Sequence, residues 1–148
     1  MKLVKIVIVL CVLLGLTGCT SKDNEDLVEV DEVLLGESDH WTVEYKVDGY
    51  YKFYDDNGTL RIEGDGNQEL IVTYKGTLEE LASMRTIEIE YPHGDSSHTR
   101  SDPPESIVFS HKSSVNIGTL INVHDGKSID ITVTWDGDNG STETITIE

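Results

Sequence analysis

The side chains best suited to chemistry gather in the stretch 92–104, which holds His93, Asp95, His98, Arg100 and Asp102. Imidazole and carboxylate groups carried on one loop suit zinc or copper, which makes His93, His98 and Asp102 the candidate metal ligands. Their spacing fits no helical or hairpin metal motif, and the Ser, Gly and Pro between them suit plain solvent exposure. The expectation is therefore a connection with no cofactor. Three acidic turns, Asp55-Asp56-Asn57-Gly58, Asp65-Gly66-Asn67 and Asp136-Gly137-Asp138-Asn139-Gly140, offer oxygen ligands of the kind calcium takes. None forms the twelve-residue calcium loop with its closing Glu, and tight turns need the same residues for backbone reasons. There is no G-x-S-x-G nucleophile elbow and no glycine-rich phosphate loop, so the chain is not expected to be an enzyme. Tyr50, Tyr54 and Tyr74 lie near one hairpin on an acidic chain, a candidate binding patch for a protein, a peptide or a glycan. Tyr51 is assigned to the core.

At the N-terminus Lys2 and Lys5 precede an apolar run from Ile6 to Leu14, and small residues lead to Cys19. That is the grammar of an export signal, and the run is shorter than the ~20 residues of a spanning helix. Leu16-Thr17-Gly18-Cys19 resembles the lipobox of bacterial lipoproteins, with Thr17 standing where that family prefers Ala or Ser. The resemblance implies cleavage before Cys19, diacylation of its sulfur, and Cys19 as the mature N-terminus. Two acyl chains make a stable anchor where one binds marginally. The protein is thus expected on the extracytoplasmic face of the cell membrane, held through the lipid on Cys19. Cys11 leaves with the signal and Cys19 is consumed, so the mature chain has no disulfide and no thiol chemistry.

The formal charge of −17 becomes −19 once Lys2 and Lys5 are removed. Such a surface repels phosphates, which excludes nucleic acid as a partner, and it opposes general adhesion to anionic lipid. The composition divides the chain into a signal peptide over 1–18, an acidic tether over 19–35 and one domain over 36–148.

Within that domain, Trp41, Val43, Tyr45 and Val47 alternate with polar residues as in a half-buried strand. Asp48-Gly49 is expected to end it. Asn57-Gly58 suits a two-residue type I′ turn, and closing on it pairs Lys52 with Glu63, Phe53 with Ile62 and Tyr54 with Arg61. Phe53 and Ile62 then fall on the core face. Asp65-Gly66-Asn67 reads as a further turn before a strand at Leu70. Thr77 and Glu80 form a capping box for one short helix. Thr86 to Tyr91, Ile107 to Ser110 and Ile129 to Trp135 read as strands, while Val115, Ile117, Leu120 and Val123 follow no clear period. A three-residue loop at Asp138-Asn139-Gly140, with Gly140 left-handed, pairs Val133 with Ile145 and Thr134 with Thr144. The pattern predicts an all-β, immunoglobulin-like β-sandwich of seven or eight strands with one short helix, anchored by Trp41 and Trp135.

Gly36-Glu37-Ser38-Asp39-His40-Trp41 resembles an element of small, uncharacterised lipoproteins of Gram-positive bacteria, which opens an all-β domain after a lipidated tether. The strand Thr86 to Tyr91 and the Trp135-Asp136-Gly137 turn are similar too. The resemblance implies a fold and an address, with no activity and no catalytic residues. The functional expectation is a lipid-anchored binding or interaction module of the cell envelope. A second reading is a ligand- or metal-binding lipoprotein that uses the 92–104 loop.

Overall fold

Asn57 and Gly58 both have positive φ, 54° and 82°, as a type I′ turn requires. They join the two longest strands, β2 (Trp41–Asp56) and β3 (Thr59–Tyr74). The structure is a computed structural model; it describes residues 27–91, 94–99, 106–136 and 140–148, with the backbone alone for 94–99. The other strands are β1 (Leu27–Glu37), β4 (Thr86–Tyr91), β5 (Gly94–Thr99), β6 (Val108–Ser114), β7 (Ile129–Trp135) and β8 (Ser141–Ile147). Two helices accompany them, α1 (Leu78–Ser83) and α2 (Ile117–His124). One sheet has the order β1-β2-β3-β6 and the other β5-β4-β7-β8, four strands each. All pairs are antiparallel. The all-β sandwich is therefore present. Its strand order keeps β1–β3 consecutive, unlike the ABED and CFG sheets of an immunoglobulin constant domain.

Alternation of apolar and polar residues directs the inner faces. Val43, Tyr45, Val47, Leu70 and Val72 of the first sheet meet Ile87, Ile89, Ile131, Val133 and Ile145 of the second in one buried cluster. Trp41 and Trp135 meet edge to face, with centroids 5.6 Å apart, so both are the core anchors expected of them. Along one side the sheets are joined: the Leu35 amide donates to the Glu148 carbonyl (3.1 Å) and the Glu148 amide to that of Leu35 (3.3 Å). Gly36 permits this approach, since a Cβ there would lie 2.7 Å from the Thr146 carbonyl oxygen.

Six local expectations change. Residues 27–35, read as the end of the tether, form most of β1, with Val30 and Leu34 buried opposite Gly49 and Tyr45. Glu32 interrupts the apolar parity there and hides the strand among acids that face water. Asp48-Gly49 and Asp65-Gly66-Asn67 are not turns. Gly49 faces Gly66 inside an unbroken β2–β3 ladder. Together they make a notch that admits α2: a Cβ on Gly49 would meet Leu120 Cδ2 at 3.1 Å, and one on Gly66 would meet Val115 Cγ1 at 3.0 Å.

The segment that looked irregular is helix α2, started by Asn116, whose side chain accepts from the Thr119 amide at 2.9 Å, with Thr119, Leu120 and Val123 buried. The sandwich thus has two helices where one was expected. Part of the 92–104 loop is strand β5, paired along β4. The β7–β8 pairing slips by two residues, so Val133 faces Glu143 and Thr134 faces Thr142. A shift of two preserves the faces, but it lengthens the loop. Its left-handed backbone lies at Asp136, with φ 66°.

The Thr77–Glu80 capping box is formed as expected on both sides, at 3.2 Å and 2.9 Å.

Candidate functional site

The shifted β7–β8 register sets a carboxylate at the rim of the core. Glu143 lies on the inner face of β8, opposite Val133, where alternation would call for an apolar side chain. His40, in the turn between β1 and β2, answers it. Its Nδ1 is 2.5 Å from Glu143 Oε1, and its backbone amide donates to Oε2 at 3.2 Å. The imidazole also packs on Trp135, with centroids 5.5 Å apart. Burial alone would raise the Glu143 carboxyl, but hydrogen bonds from Ser38 and from the ring and backbone of His40 outweigh it and hold the group below the usual carboxylate range. Tyr74 stands nearby with its phenol pushed up by burial and then by Glu80 and Glu143.

This cluster accounts for Glu37, Ser38 and His40 of the Gly36–Trp41 element. Ser38 closes the turn, its amide donating to the Trp41 carbonyl at 2.9 Å while its hydroxyl accepts from the Trp41 amide at 3.3 Å. Lys75 ties the same turn to Ser38 O at 2.8 Å and to Glu37 at 3.3 Å. Ser38, His40 and Glu143 are residue types that could carry out acyl transfer, but their order is wrong for it. Serine and imidazole both hydrogen-bond to the Glu143 carboxylate, two groups sharing one acceptor, where acyl transfer needs the chain serine to imidazole to carboxylate. The group works as a staple between the two sheets.

The tyrosine patch does not form as a unit. Tyr50 faces Asp65 and Tyr54 faces Arg61 on the long hairpin, whereas Tyr74 faces Trp41 at its other end. Tyr74 is buried, with its ring 5.0 Å from that of Trp41. Tyr51 is in the core as expected. Phe53 and Ile62 do pair, as do Lys52 with Glu63 and Tyr54 with Arg61. Yet Phe53 is 43% and Ile62 37% exposed. The inner face of the hairpin runs on past the point where α2 covers it, and α2 ends at His124 beside Tyr51.

His98 lies on β5 opposite Ile87; His93 and Asp102 lie outside the described residues, as do Cys19 and the signal. Among the described residues no group of three or more His, Cys, Asp or Glu could hold a metal ion, and no helix is long and apolar enough to cross a membrane.

Sequence reasoning missed the outer face of the first sheet. Val33 and Leu35 on β1 and Val108 on β6 are about half exposed there (51%, 58% and 45%). Leu35, Glu44, Ile71 and Ser110 are cross-strand neighbours in one row of that face. A shallow depression of about 380 Å³ runs along it, lined by Leu35, Thr42, Glu44, Ile71 and Thr73. The ion pairs Glu44–Lys46 (2.9 Å) and Glu69–Lys112 (3.3 Å) border it. The signal was present in Val33-Leu34-Leu35, where three apolar residues in succession leave two of them outside any strand's inner face.

Comparison with protein families, with curated proteins and with solved structures finds no match.

Proposed function

We propose that the protein is a lipid-anchored lipoprotein on the extracytoplasmic face of the cell membrane, serving as a binding module for another envelope component. The lipobox and signal grammar support the address. The observation that carries the binding reading is the strip of apolar positions Val33, Leu35, Ile71 and Val108, interleaved with Glu44, Lys46 and Thr73, on the outer face of the first sheet. A strand face that served only solvation would carry polar residues at those positions. With a mature charge of −19 around it, the strip suits a protein segment that combines apolar with basic side chains, the acidic surround supplying long-range attraction. This reading is related to the group of lipoproteins that the Gly36–Trp41 element resembles, with the element itself acting as the staple that orders the first turn.

Two measurements test it. Wild-type protein should partition into the detergent phase and Cys19→Ser protein should not; identical partitioning would remove the anchor. In crosslinked envelope, Val33→Asp with Leu35→Asp should lose the partner captured by wild type while keeping the lipid anchor. Unchanged capture would move the binding surface elsewhere.

A further inference from the structure

The far end of the long hairpin has a composition that the binding strip does not explain. Of nine large apolar side chains exposed among the described residues, five lie at this end: Leu27, Tyr50, Phe53, Leu60 and Ile62. Phe53 faces Ile62 and Asp55 faces Leu60, so Phe53, Ile62 and Leu60 make one continuous strip on one face of the ribbon. Leu60 is 72% exposed. From Tyr51, the last buried residue of β2, to the turn at Asn57 is six residues, which carries the tip about 20 Å past the core at the usual strand rise.

The start of β1 says what lies in front of that tip. β1 begins at Leu27, paired with Lys52 on the hairpin arm, so the chain leaves the domain at the hairpin end. Cys19 is eight residues before Leu27, a span of at most ~27 Å. The tip extends beyond Lys52 by four residues to Asp56, or about 13 Å. A chain anchored at Cys19 therefore holds the hairpin tip within reach of the lipid surface, and the Gly36–Trp41 turn at the opposite end of the sheet.

Charge points the same way. Residues 50–64 carry Lys52 and Arg61 against Asp55, Asp56 and Glu63, a net −1 in a mature chain of −19. An anionic membrane repels the body of the domain and tolerates this segment. Tyr50 and Tyr54 lie on the other face of the same ribbon, with amphipathic rings of the kind that sit at headgroup level. Lys52 and Arg61 have aliphatic stems long enough to keep their charge at that level.

We infer that the β2–β3 hairpin tip docks into the headgroup layer of the bilayer, with Phe53, Leu60 and Ile62 facing the acyl boundary. This rests on the lipid anchor at Cys19 proposed above. Docking orients the domain, turning the outer face of the first sheet along the membrane plane.

The lipidated full-length protein, reconstituted into phosphatidylcholine vesicles containing phosphatidylglycerol, tests this. Once Cys11 is removed and Cys19 acylated, Leu60→Cys supplies a single thiol for an environment-sensitive fluorophore, and Asp39→Cys supplies a reference at the opposite end. Brominated lipid should quench the probe at position 60 several-fold more than at position 39. Adding Phe53→Ser and Ile62→Ser should bring the two probes close together. Flotation that needs Cys19, combined with equal and weak quenching at both positions, overturns the docking and leaves the anchor standing. Flotation indifferent to Cys19→Ser removes the anchor and the docking with it. Disulfide dimers forming through Leu60→Cys, with no lipid quenching, would assign the strip to a second copy of the chain and also overturn the docking.

Discussion

Gly49→Ala tests the continuous β2–β3 ladder. A Cβ at position 49 would lie 2.5 Å from the Asp65 carbonyl oxygen, 2.7 Å from Gly66 Cα and 3.1 Å from Leu120 Cδ2. The first two are backbone atoms of the paired strand and cannot swing aside, so the strands must separate or α2 must lift. Overpacking of this kind costs about 1–3 kcal/mol. Against it stands the reduced entropy of the unfolded chain when Ala replaces Gly, about 0.4–1 kcal/mol. The net is a destabilisation of roughly 1–2 kcal/mol, or about 3–8 °C in Tm for a domain of this size. Thermal unfolding and urea denaturation of the mature protein measure it, with the midpoint falling and the urea slope unchanged. If Gly49 ended its strand in an open turn, the same substitution would be neutral or mildly stabilising. A Tm equal to or above wild type would refute the notch. Gly66→Ala should behave similarly, and the two together should not add, since both act on one contact.

The Glu143 staple should show in acid. Its carboxyl is held below the ordinary value of 4.5 in the folded state, so its contribution is complete above that value and is lost as pH falls through the lower folded one. With His40 half exposed (51%), solvent screening limits the contribution to about 1 kcal/mol. Glu143→Gln should therefore lower Tm at neutral pH and converge with wild type in strong acid; equal gaps at both would exclude the staple. Zinc, copper and nickel titrations of the mature protein should show no micromolar binding, and binding that is lost with His93→Ala and His98→Ala would instead make the 92–104 segment a metal site.

What could be read in the sequence was set by short-range rules. The type I′ turn, the Phe53–Ile62 register, the capping box at Thr77 and the alternation of β4 and β7 are local, and each appears as expected. What failed depended on distant partners. Gly49 and Gly66 have the composition of turns, and only the arrival of Leu120 against the first and Val115 against the second shows that they are a notch. Glu32 broke the period of β1, whose stability comes from Tyr45, Gly49 and Tyr51 across the ladder. Helix α2 is eight residues long, too short for its period to stand out. The slipped β8 register left no trace in the alternation, since a shift of two keeps Glu143 on the inner face either way, and that carboxylate acquires meaning only when His40 is placed 103 residues away. The same gap separates candidate chemistry from actual placement. Tyr50, Tyr54 and Tyr74 are close in a turn-rich reading and lie at opposite ends of an extended hairpin once Gly49 and Gly66 are paired.

The mass of the mature N-terminal peptide tests the central claim most directly. Membrane fractions of cells expressing the full chain, digested and analysed by mass spectrometry, should yield a peptide that begins at Cys19 and carries a diacylglyceryl group on sulfur. A peptide that begins at Met1, or an unmodified Cys19, would contradict the lipid anchor and everything that depends on it.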